Sequence, residues 1–196
     1  TSLSAGTTIE LPLYGTVDVT VDWGDGTVES FTSPGRKSHT YGADGVYTAE
    51  MSGTLTQFGT GGSYTGADKL THVTDFGDLG LTSLDGAFSW TDNLQEVPTT
   101  LPATVTNLRR AFSLTGKVTI TNLSSWDVSS VTDMSEMFYH AGAFNQDLSS
   151  WDVSSVTDMS SMFNNATAFN QDLSGWDVSS VTDMSSMFRN ATTFNQ

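Results

Sequence analysis

The chain has 196 residues, of which 22 are acidic and 7 basic, so its formal net charge is −15. A surface of this charge repels phosphate backbones and anionic headgroups, which argues against nucleic acids and lipid surfaces as partners. There is no cysteine, which excludes disulfides and cysteine-ligated zinc, and no apolar run is long enough to predict a membrane-spanning helix.

Residues 1–66 predict a β-rich first domain. Polar and apolar residues alternate in 7–13 and more strictly in 17–23, which is the pattern of strands with one buried face. Residues 46–51 predict a further strand. We therefore expect this part of the chain to form a sandwich-like all-β module.

Two short segments in the first domain predict loops. Asp25-Gly26 supplies the positive φ values that a tight hairpin turn needs, and it precedes a short returning strand at 28–31. The glycine-rich stretch 59–63 predicts a loop or linker between this module and the rest of the chain.

Residues 67–196 consist of repeats with a period of about 25 residues. Segments 126–150 and 151–175 are identical at 20 of 25 positions, whereas 67–125 holds degenerate copies. A period of this length indicates a solenoid, in which each coil stacks on its neighbours. Because the sequence stops within a repeat, we expect further coils or a partner to follow it. Each repeat has a closing phenylalanine: Phe88, Phe112, Phe138, Phe163 and Phe188.

The pattern inside each repeat predicts one short helix or 3-10 turn and one short strand. Val-x-x-Met-x-x-Met-Phe has apolar residues at helical spacing, and Ser-x-Trp-Asp-Val is typical of a strand. We therefore expect an α/β solenoid. The Trp, Phe and Met columns are interpreted as core, in preference to an aromatic stripe that binds sugars.

The first domain resembles a PKD-like β-sandwich module. Three pieces of that family's pattern occur in order, at residues 21–27 (Val-Asp-Trp-Gly-Asp-Gly-Thr), 39–41 (His-Thr-Tyr) and 45–48 (Gly-Val-Tyr-Thr). The resemblance covers about 50 residues by its motifs. It implies an extracellular spacer or adhesion unit.

The repeats resemble the BspA-type leucine-rich-repeat surface proteins. The phrase at residues 144–159, Phe-Asn-Gln-Asp-Leu-Ser-Ser-Trp-Asp-Val-Ser-Ser-Val-Thr-Asp-Met, carries this resemblance. It implies a leucine-rich-repeat-like solenoid over residues 67–196 and a secreted or surface-anchored protein involved in adhesion. The family has no common enzymatic activity and no fixed ligand, so no binding residue is implied.

Aspartates recur in phase along the repeats and are the candidate metal ligands. Neighbouring carboxylates in such columns must be spread by solvent, bonded to backbone N–H groups or bridged by cations. We favour turn formation over bound Ca²⁺, since no run here matches a known calcium loop. The two columns are Asp127, Asp152 and Asp177, and Asp133, Asp158 and Asp183.

The near-identical repeats differ mainly in the loop after Met-Phe. Core positions stay fixed while this loop varies, which indicates that it is exposed. A binding face would lie there, although neutral drift explains the same variation. The candidate residues are Tyr139, His140, Asn164, Asn165, Arg189 and Asn190.

No catalytic motif is present, and the three histidines lie in different phases of the repeat, so we expect no enzyme and no cofactor other than Ca²⁺. The predicted function is a secreted or cell-surface adhesion module that presents an extended face to a protein or glycan. The alternative is a structural stalk, sheath or filament subunit whose partners are copies of itself. Ice or mineral binding by regular Ser, Thr and Asp columns is a weaker third hypothesis, because the repeats supply a single threonine column.

Overall fold

The computed structural model describes residues 2–116 and 120–196, and the chain begins with a four-stranded antiparallel sheet. β1 is the central strand, and β4 pairs along one of its edges. β2 and β3 pair with successive parts of the other edge. The strands are β1 (Thr8–Asp22), β2 (Val28–Phe31), β3 (Gly35–Thr40) and β4 (Glu50–Phe58).

The two strands predicted at the N-terminus form the single long strand β1. Val17, Val19 and Val21 are buried on one face, and the residues between them are exposed, as the alternation predicts. Gly15 has a φ of 65°, and the register with β4 shifts between Tyr14 and Val17. Glycine adopts this φ at little cost, so the strand changes register here instead of ending.

Aspartate side chains hold the loop between β1 and β2. Asp22 Oδ1 accepts the Gly24 N–H at 2.9 Å, and Asp25 Oδ1 accepts the Thr27 N–H at 2.9 Å. Asp25 Oδ2 lies 2.8 Å from His39 Nε2 in β3. The hydrogen bond from Thr27, followed by that with His39, lowers the pKa of Asp25. Hydrogen bonds therefore join the loop to β1 and to β3.

The prediction of a β-sandwich is wrong, because the strands form one open sheet. The predicted strand at 46–51 begins only at Glu50, and the described residues form no second sheet. The buried face of β1 packs instead on the apolar side chains of the repeats, in one continuous hydrophobic core. Coil side chains thus take the place of a second layer of strands.

The repeats form a stack of coils joined by parallel β-bridges. Each coil contributes one bridging residue to the main ladder, and the ladder starts on β4. In each of the first four coils, four alternate N–H groups, the first next to the bridging residue, donate to carbonyls of the next coil; from the coil of Met134 these bonds measure 2.8–3.0 Å. The bridges are Gln57↔Ser83, Ser83↔Asn107, Asn107↔Asp133, Asp133↔Asp158 and Asp158↔Asp183.

The prediction of an α/β solenoid with a helix in each coil is also wrong. The described part of the chain contains no α-helix, and its only helical segments are two 3-10 turns, Ala67–Lys69 and Leu123–Ser125. The predicted Ser-x-Trp-Asp-Val strand is irregular, and the extended residue of each coil is the bridging one, such as Asp133. In the described part of the coils, therefore, the Val-x-x-Met-x-x-Met-Phe segments form neither an α-helix nor a 3-10 turn, and the Ser-x-Trp-Asp-Val segments form no strand.

Consecutive β-turns occupy the place of the predicted helix. Met137 N–H donates to Met134 C=O at 3.2 Å, and Ala141 N–H donates to Phe138 C=O at 3.0 Å. The third residue of the second turn, His140, has a φ of 56°, as a type II turn requires. Turns closed over three residues place apolar side chains at the same spacing as a helix, so periodicity alone does not separate the two.

The aromatic and methionine columns lie in the core, as predicted, although Met184 in the last coil is 42% exposed. The rings of Phe112, Phe138 and Phe163 stack at centroid distances of 5.8 and 5.5 Å with interplanar angles of 9° and 8°. Phe144 and Phe169 begin a second column, at 5.9 Å. The near-identical coils thus repeat one core layer.

Residues 59–63 form a loop, one of the two predicted alternatives, and this loop is part of a cap on the first coil. Three carbonyls of that coil point toward β4 and the segment after it. Phe58 N–H donates to Ser83 C=O at 3.2 Å, and Gly61 N–H donates to Asp85 C=O at 3.1 Å. Tyr64 O–H donates to Ala87 C=O at 3.1 Å, and burial raises the pKa of Tyr64. The start of the main ladder is therefore closed by hydrogen bonds.

Candidate functional site

The residue two places after each closing phenylalanine has a left-handed backbone. Its φ lies between 56° and 64° in all five coils. In the first four coils its N–H donates to a carbonyl of the next coil. Equivalent residues therefore follow one another along the stack at roughly 4.8 Å, the spacing of paired strands. This left-handed column consists of Trp90, Leu114, His140, Asn165 and Asn190.

The side chains of the left-handed column form a polar line at its C-terminal end. Asn165 Nδ2 lies 3.1 Å from His140 Nε2, and Asn190 Nδ2 donates to Asn165 Oδ1 at 3.0 Å. His140 and Asn190 are exposed, and Asn165 is half-buried. The line therefore offers amide and imidazole groups to solvent.

The structure brings most of the predicted loop residues together. The rings of Tyr139 and His140 lie 4.3 Å apart, and Asn165 Nδ2 donates to the buried Asn164 Oδ1 at 2.6 Å. Arg189 is exposed, next to Asn190. Asn164 thus holds the Asn165 amide from the buried side, and the Tyr139 ring lies beside His140.

Sequence reasoning missed Trp90 and Leu114, the members of the column in the degenerate coils. Trp90 is 47% exposed, the highest exposure of any aromatic side chain among the described large hydrophobic residues. Its N–H donates to Ser113 C=O at 3.1 Å, which fixes its place in the stack. Counting two residues past Phe88 and Phe112 would have found both positions.

A charged cluster lies beside this column on the first three coils. Arg110 donates to Glu136 from Nε at 2.9 Å and from Nη2 at 2.8 Å, and Arg109 lies 3.5 Å from the same carboxylate. Burial raises the pKa of Glu136, but the hydrogen bonds and charge of Arg110 outweigh it, so the net pKa is lowered. Burial raises the pKa of the nearby Asp85.

The six candidate metal-ligating aspartates form turns, one at each position. The Oδ1 of each accepts the N–H of the serine two residues later, at 2.8–3.1 Å. Hydrogen bonds from the serine side chain, followed by its N–H, lower the pKa of Asp127 and Asp152, and the N–H bond is the larger cause for Asp177 and Asp183. Within 2–116 and 120–196 no group of three or more His, Cys, Asp or Glu residues is arranged to hold a metal ion. Each of the two columns therefore has one carboxylate per coil.

The comparisons with known proteins identify a family and no individual relative. No helix in the described ranges has the length and apolar character needed to cross a bilayer. No curated protein and no solved structure matches the chain. The family described as "Mycoplasma protein of unknown function, DUF285" matches residues 82–196, which is more than half of the chain and includes all five members of the left-handed column. The chain belongs to the DUF285 family.

Proposed function

We propose that the chain is a secreted or cell-surface binding module of the BspA type, whose coil stack presents the left-handed column to a protein or glycan. The exposed Trp90 is the observation that carries this proposal. A left-handed backbone costs an L-residue other than Gly, Asn or Asp roughly 1–2 kcal/mol, and nearly half of this indole faces water. A large apolar ring at a strained, exposed position is typical of a recognition site.

The polar end of the column supports recognition along several coils. Tyr139 and His140 supply a second aromatic pair, and the Asn165 and Asn190 amides supply neutral donors and acceptors. Aromatic anchors with a few convergent polar groups characterise binding surfaces. The net charge of −15 favours neutral or cationic partners.

Loss of Trp90 tests the binding proposal. We expect the chain to bind at least one member of a panel of immobilised matrix proteins and neutral polysaccharides with a saturable isotherm. Trp90→Asn should weaken that binding at least about tenfold, because central aromatic anchors carry most interface energy. Asparagine already occupies the same position in two other coils, so the backbone is preserved.

Val28→Asn provides the matched control. Val28 is 58% exposed on β2, away from the coils, so its replacement should leave binding unchanged. Equal losses in both variants, or no saturable binding to any panel member, would count against the proposal.

We propose that binding at this face needs no Ca²⁺. Each candidate aspartate already uses Oδ1 in its own turn, and a calcium site needs about six or more oxygen ligands at one point. We expect thermal melts in EDTA and in added Ca²⁺ to give the same Tm. A Tm that rises and saturates with Ca²⁺ would assign the aspartate columns to ion binding.

A spacer is the second candidate function, and the near-identity of the last coils favours it. Segments 126–150 and 151–175 differ at only 5 of 25 positions. An added coil of this kind lengthens the stack but brings few new surface side chains. Growth of a filament by coil addition at the N-terminal end is opposed by the cap, because three first-coil carbonyls there are already bonded. A spacer predicts that Trp90→Asn has no effect in any binding assay, whereas a binding module predicts the loss.

A further inference from the structure

An open groove of about 710 Å³ separates the N-terminal sheet from the start of the coils. Its sheet wall includes Ile9, Leu11 and Met51, and its coil wall includes Leu70 and Val73. All five side chains are only partly buried and pack against the core below. The groove therefore has an apolar floor that reaches the surface.

The coil wall of the groove is bonded to the first coil at two residues. Val73 N–H donates to Glu96 C=O at 3.0 Å, and Gln95 N–H donates to Thr71 C=O at 2.8 Å. These bonds begin a second parallel ladder, from His72 to Glu96 and on to Thr121. Because successive residues beside a parallel bridge point their N–H and C=O groups to opposite sides, those of His72 face away from the first coil, which contains Glu96.

After Val73 the main chain of this segment has no bonded side. Within 2–116 and 120–196, no hydrogen bond is found for the backbone N–H or C=O of His72, nor for those of Thr74, Asp75 and Phe76. All four residues belong to the stretch 69–77, which lines the groove. Unpaired groups of this kind form an edge to which another strand can add.

The start of the main ladder shows what this second edge lacks. There, Phe58, Gly61 and Tyr64 satisfy the first-coil carbonyls. The second ladder begins at His72 with no equivalent cap in the described ranges, although the same sheet stands across the groove. A group outside the described fold must therefore satisfy this edge, and in the free chain that group is water.

We propose that the groove binds an extended peptide, which adds as a β-strand to the edge formed by His72, Thr74 and Phe76 and places alternate apolar side chains on the groove floor. Strand addition of this kind takes its affinity from main-chain hydrogen bonds and its specificity from side-chain pockets. The unpaired main-chain groups and the apolar floor both belong to this groove.

Charge selects a peptide with basic residues. Glu50 and Asp75 line the groove, and Glu10 also lines it but is paired with Arg36 at 3.7 Å. The one lysine of the lining, Lys69, is paired with Asp68 at 2.7 Å. Basic residues flanking the apolar positions would meet these carboxylates, whereas acidic ones would be repelled. This site is separate from the left-handed column, so either proposal can fail without the other.

Peptide titration with hydrogen exchange tests this proposal. The probes are capped heptapeptides Lys-X-Thr-X-Thr-X-Lys, with Val, Ile, Leu or Phe at X. At least one should bind saturably below about 1 mM and slow amide exchange at His72 and Thr74. N-methylation is made in two separate peptides, at the three X positions or at the two Thr positions. One of the two should bind more weakly by about tenfold or more, because it lacks the main-chain donors that face the edge and keeps its side chains. Glutamate in place of the flanking lysines should also weaken binding.

Two variants of Thr74 distinguish a contribution of its backbone N–H to peptide binding from a contribution of its side chain. Thr74→Pro removes the N–H that has no partner in the fold, and Thr74→Ala keeps it. We expect weaker peptide binding for the proline variant alone. The proposal is overturned by any of three results: no saturable binding, binding of both N-methylated peptides equal to that of the unmethylated one, or exchange protection confined to other residues. Because the N-methylated peptides are tested on the unaltered chain, a failure of Thr74→Pro to fold would not obscure the result.

Discussion

The identity of the residue at each left-handed position sets a local conformational cost. Asparagine tolerates positive φ because its short polar side chain bonds locally, so Asn165 and Asn190 suit their positions. Tryptophan, leucine and histidine have no such compensation at the equivalent places. The residue at this position therefore differs between coils although its positive φ disfavours most residue types. Trp90 has no conformational advantage there, which favours a role in binding.

Substitution of Asn165 tests the conformational cost of a left-handed backbone at a single residue. Asn165→Gly should change the free energy of unfolding little, because the free adoption of positive φ by glycine offsets the loss of three side-chain hydrogen bonds. Asn165→Val should lower that free energy by about 2 kcal/mol, since a β-branched residue resists this φ. Urea unfolding measures both. Similar stabilities of the Gly and Val variants would show that the backbone here is not left-handed.

Glu136 gives a pH-dependent prediction. Its folded pKa is lowered, so its contribution to stability is fully present above its unfolded pKa and is lost as pH falls through the folded value. Glu136→Gln should therefore lower the free energy of unfolding by about 1 kcal/mol at pH 7 and by much less near pH 3. Urea unfolding at both values measures this, and a pH-independent difference would mean that the ion pair with Arg110 contributes nothing.

At the scale of elements, the repeat and its core columns were predictable, but the shape of a coil was not. Val131, Met134 and Met137 are spaced three residues apart. This spacing is compatible with a helix and also with a chain of turns. The deciding feature is positive φ at Glu136 and His140, and neither is a residue whose type indicates a left-handed backbone. Single-sequence reasoning therefore favoured the commoner element.

The candidate site was partly predictable for the same reason. Variation between near-identical coils identified the loop that contains His140 and Asn165, and the structure places their side chains in contact. Trp90 lies in a degenerate coil, where few residues match and the register is harder to assign. The groove could not be predicted at all, because it depends on the angle at which the sheet meets the coils.

The junction between sheet and coils gives a prediction for one element. Gly59 has a φ of 110°, and a side chain there would overlap the main chain of Asp85 and Ala87. Gly59→Ala should therefore lower the free energy of unfolding by about 2–4 kcal/mol. Gly26→Ala is the control: its φ is 94° but the space around it is open, so it should cost only about 1–2 kcal/mol. Equal costs in urea unfolding would show that the segment after β4 does not pack on the first coil.

At the scale of the whole molecule, one hydrophobic core joins the sheet to the coils. It extends from Leu3, ahead of β1, to Met187 in the last coil. The N-terminal sheet is therefore part of the stack, and its last strand is the first rung of the ladder. A rigid stack of this kind holds exposed side chains in a fixed row, which is what an extended binding face requires.

The most direct test of recognition through the left-handed column is a binding isotherm of the whole chain on the panel of immobilised matrix proteins and neutral polysaccharides, made in parallel for the unaltered chain, Trp90→Asn and Val28→Asn. Recognition through this column predicts saturable binding that Trp90→Asn weakens about tenfold or more and Val28→Asn leaves unchanged. Unchanged binding of Trp90→Asn, with its fold intact by circular dichroism, would contradict it and leave the coils as a spacer.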